Sequence, residues 1–300
     1  MTTLRVIQWF DRNTIKHLRF PFSFFLLPVF LFAISQALLI NWFNAIAAFV
    51  ILHLLVFPAS NGYNSYQDRD VSSIGGLRNP PEVTKNLYYV TLLFDVVALV
   101  AAVLISWLFS LLLLVFIIMS RMYSYRGIRL KKYPVTGFLV VFLFQGGYVY
   151  LMTVTAVSDQ FLPGYFTRGN LICMAISSLF IGSMYPLTQI YQHQADRDDG
   201  VRSISFILGY KGTFIFSAVL FAAATALLFY YFGRRDHYAA LVLFVVLIVP
   251  VIVFLSKWFE KVRRNSSYAN FDNAMKANLL SSGSMNLFFL ILIIYNRLVY

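Results

Sequence analysis

Nine apolar runs, each close to the length that crosses a bilayer, dominate this chain of 300 residues. About 20 apolar residues in a helix cross a bilayer core, and unpaired backbone groups are too costly in lipid for other conformations. Only 12% of the residues are charged and 60% are hydrophobic, and no soluble fold of this length could bury so many apolar side chains. The chain is therefore predicted to be an all-α polytopic membrane protein, which excludes a cytosolic enzyme, a secreted domain and a disordered chain.

The weakest division between spans lies in the stretch 87–120, which is apolar almost without a break. A single helix of that length would measure about 50 Å, against a hydrocarbon core of roughly 30 Å. We therefore divide the stretch at Ile105 and Ser106, which gives nine predicted spans. These are 21–40, 42–60, 86–104, 107–122, 135–153, 170–191, 212–232, 238–255 and 278–295.

The distribution of Lys and Arg supports this division and orients the spans. With the N-terminus inside, 20 of the 24 basic residues fall in the inner segments, and cytoplasmic loops carry such an excess. If the third and fourth spans were one, the densest basic loop would lie outside. We expect an integral, multi-pass protein of the bacterial inner membrane, with a cytoplasmic N-terminus and the C-terminus on the outer side.

The same topology explains the net charge of +12, so membrane lipids rather than nucleic acid are the expected surroundings. The lone Cys173 excludes an intrachain disulfide. Because no flexible linker interrupts the chain, residues 1–300 are interpreted as one domain, with residues 1–19 as a cytoplasmic interfacial segment. The apolar residues that indicate this segment are Leu4, Ile7, Trp9 and Phe10.

Acidic residues are rare in such a chain, yet five of the twelve fall in two clusters. One cluster leaves the second predicted span and the other leaves the sixth, so both emerge on the inner side. Their matching placement predicts a duplicated half of the chain. The first cluster contains Asp68 and Asp70, and the second contains Asp196, Asp198 and Asp199.

Each cluster also has an amide side chain one helical turn before an aspartate. Asn64 precedes Asp68 by four residues, and Gln192 stands in the same relation to Asp196. Residues at this spacing can share one face of a helix. The repeated pattern predicts that each pair acts together.

Two facing carboxylate groups repel each other unless a cation lies between them, and Mg²⁺ is the natural candidate. This ion takes oxygen ligands and is usually held by one or two carboxylates together with substrate phosphates. On the same side, the loop after the fourth span carries Arg129, Lys131 and Lys132, which can grip phosphate oxygens. Above a cavity of apolar helices, this combination predicts a site for a lipid diphosphate.

Less specific interpretations exist for each feature. An Asp-Arg-Asp run is often a solvated turn with local salt bridges, and a basic loop is often only the positive-inside signal. Asp95, in the third span, is either a relay or substrate site or an acid satisfied by a neighbour. His53 is interpreted as a packing residue, and His193 is a weak metal candidate because no His or Cys is spaced with it for zinc. The apparent repeat and Asp95 also permit a transporter or channel.

Four segments resemble motifs of the UbiA-type intramembrane prenyltransferases, and they occur along the chain in the same order as in that family. Residues 64–68 resemble that family's N-x-x-x-D opening, and residues 196–209 its D-x-x-x-G-x-x-T…L-G run. Residues 123–131 are similar to its Y-S…R-L-K loop, and residues 19–28 to its first-helix entry. The resemblance implies nine transmembrane helices in a bundle around a central cavity, with the acidic loops after the second and sixth.

The chain departs from the family pattern at two carboxylates. The last aspartate of the family's first motif falls on Ser72, although Asp70 stands two residues earlier, and the first aspartate of the second motif falls on Gln192. If the segment were helical, Asp70 would point elsewhere. The family's usual N-[KR]-P-x-R-P sequence is replaced by residues 74–81.

The resemblance implies Mg²⁺-dependent transfer of a prenyl group from an isoprenoid diphosphate to an aromatic or lipid acceptor, with release of diphosphate. Aromatic quinone precursors are the default acceptor. The alternative is a non-catalytic member of the fold that binds a polyprenyl lipid or a partner protein. The implied metal ligands are Asp68, Asp70, Asp196 and Asp199; the implied substrate-binding residues are Arg19, Asn64, Arg129, Lys131 and Gln192; and the implied catalytic residues are Asn64, Asp68, Lys131 and Asp196.

Overall fold

The computed structural model describes residues 9–158 and 162–299, and helices account for most of them. Within these described residues, eight helices are long and apolar enough to cross a membrane, and a ninth span is present if one bent pair is counted as a single crossing. The all-α, multi-pass architecture is thus confirmed, whereas the number of nine depends on that pair. Leu4 and Ile7 lie outside the described residues, and the single-domain interpretation stays a prediction.

The bent pair replaces the first predicted span, which is not one straight helix. Helix α1 (Arg12–Leu18) ends where Arg19 adopts a left-handed conformation with φ 49°. A 3₁₀ segment (Phe20–Phe25) follows, and α2 (Leu27–Gln36) then leaves at an angle of 43°. A proline stands at the start of each of these two segments. Its missing N–H would have no helical partner in a first turn, and its ring prevents the preceding helix from continuing.

Most of the remaining helices are longer than the apolar runs that predicted them, chiefly at the ends predicted to lie on the inner side, which are called the inner ends here. For example, the second predicted span ends at residue 60, but its helix continues to Asp68. Tertiary packing supports these polar turns, which hydropathy alone does not detect. The helices are α3 (Trp42–Asp68), α4 (Lys85–Ile105), α5 (Trp107–Ser124), α6 (Pro134–Val157), α7 (Arg168–Gln189), α8 (His193–Asp198), α9 (Ile204–Gly233), α10 (Tyr238–Arg264) and α11 (Phe271–Val299).

The predicted division of the long apolar stretch is confirmed. Helix α4 ends at Ile105, and Ser106 has an extended backbone between the two helices. The Ser106 hydroxyl accepts a hydrogen bond of 3.0 Å from the backbone N–H of Phe109. A serine at this position satisfies one of the free N–H groups at the start of α5.

Two backbone breaks shape the inner ends of α3 and α9. Arg69, with φ 55°, ends α3 directly after Asp68. Within α9, Gly209 has φ 64° and ψ 178°, so a short first turn is set at an angle to the rest of the helix. Gly tolerates this left-handed φ because it has no Cβ.

Aromatic rings fill the core between the helices. Phe32 of α2 stacks on Phe289 of α11 with ring centroids 4.6 Å apart. His53 lies among the rings of Phe30, Phe49 and Phe57, so it packs in the core as predicted, although a hydrogen-bonded packing residue is expected and its Nε2 has no hydrogen-bond partner among the described residues.

Asp95 is an acid satisfied by a neighbour, because it forms an ion pair with Arg121 inside the bundle. The Arg121 Nε–H donates a hydrogen bond of 3.0 Å to Asp95 Oδ2, and the guanidinium lies 4.0 Å from the centroid of the Tyr63 ring. Arg121 lies in the last turn of α5, which continues to Ser124. The ion pair allows this residue to lie within the helix.

Candidate active site

A cavity of about 340 Å³ opens at the inner ends of the helices. Carboxylates from both predicted clusters line it, together with the basic residues Arg19 and Lys131. Further into the bundle its walls become aromatic and aliphatic. The carboxylates at this mouth are Asp68, Asp70, Asp196 and Asp199, and the deeper aromatic residues include Phe116, Phe144, Phe180 and Phe221.

The first cluster is neutralised by the basic loop. Asp68, at the end of α3, forms ion pairs with Lys131 through Oδ2 and with Arg129 through Oδ1, the latter at 3.4 Å. Arg129 also pairs with Asp199, so one guanidinium bridges the two clusters. Burial lowers the pKa of Arg129, but the two carboxylates outweigh burial and raise it overall.

The loop that carries these cations is fixed against the end of α3. Arg126 donates hydrogen bonds to the backbone oxygens of Gln67, at 2.6 Å, and of Asp68, at 3.1 Å. Arg129 itself adopts a left-handed backbone with φ 50°. Lys131 lines the mouth of the cavity, whereas Arg129 is not among the lining residues and contacts two that are, Asp68 and Asp199.

In the second cluster Asp199 pairs with Arg129, but Asp196 lacks such neutralisation. Asp196, on α8, forms no ion pair with any described residue, and its Oδ2 accepts a hydrogen bond of 2.8 Å from the Ser203 hydroxyl. Burial raises the pKa of Asp196 to about 6, and the negative charges of Asp70 and Asp68 add to this effect. An unpaired carboxylate at this place favours a cation from outside the protein.

Asp70 also faces the cavity, because α3 ends before it. The left-handed Arg69 turns the chain out of the helix, so Asp70 does not continue the helical face of Asp68. Burial raises the pKa of Asp70, and the neighbouring charge of Asp68 raises it further. Asp199 behaves in the opposite way: burial raises its pKa, but its hydrogen bond from Arg129 prevails and the pKa is lowered.

His193 anchors α8 to the first turn of α9. Its Nε2 is 2.8 Å from the Ser205 hydroxyl, and its ring stacks on Tyr210 with centroids 4.9 Å apart. The Ser205 hydroxyl is in turn 3.0 Å from that of Thr213. Burial lowers the pKa of His193 to about 4, so the ring is neutral near pH 7 and serves packing.

The residues present fit Mg²⁺ as a shared ligand of protein and phosphate. In the parts of the chain that the structure describes, no group of three or more His, Cys, Asp or Glu side chains is arranged to hold a metal. Mg²⁺ seldom needs such a cage, because it keeps waters and is completed by substrate phosphates. Asp70 and Asp196 offer carboxylate oxygens without an ion-pair partner among the described residues, so the donor set suits that mode.

The predicted orienting residues all line the same cavity. Asn64 donates from Nδ2 to the Ser124 hydroxyl at 3.0 Å, and Gln192 donates from Nε2 to Tyr191 Oη at 3.5 Å. The Arg19 guanidinium donates to the backbone oxygens of Gly75, at 2.9 Å, and Asn61, at 2.8 Å. Its Nε–H has no partner among the described residues, which leaves one donor for an anion.

The segment after α3 covers part of the mouth. Ile74 and Leu77 form a short antiparallel bridge, and Ser72, the position of the missing family aspartate, lines the cavity. The segment is attached to the start of α11 by an ion pair between Arg78 and Asp272. Ile74 and Gly75 of this segment line the cavity, so residues 74–81 form part of its cover.

Sequence analysis missed a chain of hydrogen bonds inside the cavity. Tyr123 Oη lies 2.6 Å from Tyr185 Oη, and Gln189 Nε2 donates to Tyr185 Oη at 2.8 Å. It also missed Ser203, which holds Asp196. The spacing of Tyr185 and Gln189, one turn apart near the end of a predicted span, is the signal that could have identified that pair.

Comparisons with known proteins agree with this geometry. The model of the UbiA prenyltransferase family matches residues 23–280, which is most of the chain and includes both acidic clusters. No curated protein sequence matches the chain.

Solved structures share the fold at low sequence identity. A UbiA homologue from Archaeoglobus fulgidus bound to GPP and Mg²⁺ is 16% identical, with a TM-score of 0.68, over 94% of this chain and 99% of that one. An apo UbiA homologue from Aeropyrum pernix K1 is also 16% identical, with a TM-score of 0.65, over 94% and 98% of the two chains. A structure of digeranylgeranylglyceryl phosphate synthase is 16% identical, with a TM-score of 0.58, over 94% of this chain and 97% of that one.

Proposed function

Because this chain belongs to the UbiA prenyltransferase family, we propose that it transfers a prenyl group from an isoprenoid diphosphate to an acceptor within the membrane. The observation that carries the proposal is that both acidic clusters and the basic loop line one cavity with an apolar interior. The A. fulgidus homologue with GPP and Mg²⁺ bound supports the same class of donor and the same ion.

The basic residues act on the leaving group. As the allylic C–O bond breaks, negative charge grows on the diphosphate, and Lys131 and Arg129 are already held at the mouth by carboxylates. The free Nε–H of Arg19 adds a further donor. Positive groups fixed in place before charge develops lower the barrier without reorganisation, and loss of one such group commonly costs on the order of 10²–10³ in rate.

The carboxylates bind the donor through Mg²⁺. Asp68, Asp70, Asp196 and Asp199 are the residues that would hold the ion, and Asn64 and Gln192 would orient water or phosphate oxygens beside it. When bound, Mg²⁺ neutralises charge on the diphosphate.

The apolar interior protects the allylic cation until the acceptor reacts. Phe116, Phe144, Phe180 and Phe221 line it, and exclusion of water prevents hydrolysis of a reactive cation. Diphosphate leaves with the electron pair of the broken C–O bond, and the acceptor then forms a bond to the allylic carbon and gives up a proton to the released diphosphate or to water. An aromatic or lipid acceptor, with quinone precursors first, fits this chemistry.

The proposal is tested by incubating the purified protein with Mg²⁺, prenyl diphosphates of several lengths and candidate acceptors. Mass spectrometry should find a prenylated lipid, and released diphosphate should match it one to one. Chelation of Mg²⁺ with EDTA should stop both. If no acceptor is prenylated and no diphosphate is released, the proposed activity is wrong.

The replaced carboxylates favour a second candidate, a non-catalytic protein that binds a polyprenyl lipid or a partner. Ser72 and Gln192 line the cavity where the family has aspartates, and an uncharged ligand holds Mg²⁺ less strongly. This candidate predicts saturable binding of a prenyl diphosphate without turnover in the same assay.

A further inference from the structure

A stripe of polar side chains on α11 faces the cavity and is not used by the proposed reaction. Asn278, Ser281 and Ser282 are spaced so that they share one helical face, and all three line the cavity. Their exposed fractions are 6%, 7% and 7%. The Ser281 hydroxyl is buried and has no hydrogen-bond partner among the described residues.

Other serines that line the cavity do have hydrogen-bond partners. Ser177 and Ser183 of α7 also line it, but their hydroxyls donate to the backbone oxygens of Cys173, at 2.9 Å, and Phe180, at 2.7 Å. A buried polar group without a partner costs about 1–3 kcal/mol. The unpartnered Ser281 hydroxyl, with Asn278 and Ser282 beside it on the cavity wall, indicates a polar ligand at that face.

The stripe lies deeper than the acidic clusters. The start of α11 is level with the mouth, because Phe271 packs against Tyr191 and Asp272 pairs with Arg78. At a rise of about 1.5 Å per residue, Asn278 to Ser282 stand about 10–16 Å further in. A ligand group at the stripe is therefore separate from the diphosphate, and a hydrocarbon chain would gain nothing from an amide and two hydroxyls.

The charge of the cavity walls restricts the ligand further. Among the described residues that line the cavity, Arg19 and Lys131 are the cations, and Lys131 already pairs with Asp68. Both belong to the mouth, where the proposed function uses them for the diphosphate. A carboxylate or phosphate on the ligand would meet no cation at the stripe, so the ligand is uncharged.

We propose that Asn278, Ser281 and Ser282 bind the polar head of an uncharged, hydroxyl-bearing acceptor, which rests on the proposed function and specifies its acceptor class. The prenyl chain lies against the phenylalanine wall, and the acceptor lies against the α11 stripe. Hydrogen bonds to the stripe orient the acceptor toward the allylic carbon at the mouth.

The test uses 2-naphthol as the hydroxyl-bearing probe, naphthalene as its apolar counterpart and 2-naphthoate as its charged counterpart. Binding is measured by fluorescence titration of the full chain in detergent with Mg²⁺ and inorganic diphosphate. The test variant combines Asn278→Leu, Ser281→Ala and Ser282→Ala. Ser217→Ala is the matched control, because the Ser217 hydroxyl on α9 is also buried and unpartnered but lies outside the cavity lining.

We expect the native chain to bind 2-naphthol at least about tenfold more tightly than naphthalene, which corresponds to one or two hydrogen bonds. The triple variant should lose this preference, and Ser217→Ala should keep it. An equal preference in the native chain and the triple variant, no preference in the native chain, or binding of 2-naphthoate as tight as that of 2-naphthol would overturn the proposal.

Two measurements separate this inference from the proposed function and from misfolding. Calorimetry of Mg²⁺-dependent diphosphate binding reports on the mouth, so its absence in the native chain would refute the proposed donor site while leaving the naphthol preference intact. Retained diphosphate binding in the triple variant shows that it is folded. If that variant does not fold, Ser282→Ala alone should reduce the naphthol preference several-fold, and an unchanged preference would count against the stripe.

Discussion

The two acidic clusters look alike in sequence but differ in their electrostatic surroundings. Asp68 is neutralised by Arg129 and Lys131, whereas Asp196 has no basic partner among the described residues and has a raised pKa. The first cluster ends a membrane-spanning helix, while the second is carried on the separate short helix α8.

Because of this difference, the two clusters have different roles at the mouth of the cavity. The first cluster holds cations ready for the diphosphate, and its removal releases them. In the second cluster, Asp196 is a carboxylate without an ion-pair partner among the described residues, and a bound cation would balance its charge. A repeated motif thus specifies which residues meet at a site, but the segments packed around each copy determine its charge balance.

The largest expected effect is that of Asp68→Ala. Loss of Asp68 removes a metal ligand and the carboxylate that positions Arg129 and Lys131, so Mg²⁺-dependent diphosphate release should fall by on the order of 10³-fold. Asp196→Ala should also abolish most release, by on the order of 10²–10³. Release assays with monodisperse protein measure both effects, and unchanged activity in either variant would remove that residue from the site.

In the absence of Mg²⁺, neutral substitutions in the two clusters should change Tm in opposite directions. The pKa of Asp196 is raised from 3.8 to about 6, so folding is penalised once pH exceeds about 6 and not below about 4. In EDTA, Asp196→Asn should therefore raise Tm by a few degrees at pH 7.5 and leave it unchanged near pH 4. Asp68→Asn should lower Tm at pH 7.5, because it takes a counter-charge from two buried cations. Shifts of the same sign at pH 7.5 would contradict the comparison.

His193→Ala should weaken Mg²⁺ binding by the second cluster without changing the first cluster. Without the ring, α8 loses its contacts with Ser205 and Tyr210, so the Mg²⁺ concentration for half-maximal diphosphate binding should rise about tenfold, in line with loss of an outer partner of a metal site. His193→Phe keeps the stacking but not the hydrogen bond. Its Mg²⁺ concentration for half-maximal binding should lie between those of the native chain and His193→Ala. An effect on kcat with no change in Mg²⁺ dependence would argue against this positioning role.

The smallest effect is expected for Gln192→Asp, which restores a carboxylate that the family usually has. The variant should be tolerated or activating, with Mg²⁺ affinity increased several-fold, since a charged oxygen ligand replaces a neutral one. Without Mg²⁺ the added charge should lower Tm, because Asp196 is already uncompensated. A dead variant would mean that this chain holds the metal in a different geometry.

Periodicity and charge predicted much of the architecture, because lipid imposes simple rules on length and polarity. The helix break at Ser106 and the meeting of both clusters at one cavity are two examples. The inner helix ends were not predictable, because polar turns such as that ending at Asp68 depend on packing. The orientation of Asp70 depends on one left-handed residue, Arg69, for which hydropathy gives no signal.

The ion pairs of the site were equally hidden, because Arg129 and Asp199 are distant in sequence and meet only in the folded chain. The polar stripe of α11 carried a readable signal, since Asn278, Ser281 and Ser282 share a face within an apolar run. A polar face in a membrane span needs either a neighbouring helix or a ligand, and sequence alone does not distinguish the two.

The ion pair between Asp95 and Arg121 also has a consequence for biogenesis. Each charge would enter hydrocarbon at a cost of about 2.5–3.5 kcal/mol if its helix were inserted alone. Joined, the two charges compensate each other within the hairpin of α4 and α5, so insertion of the hairpin as one unit should cost less than insertion of either helix alone.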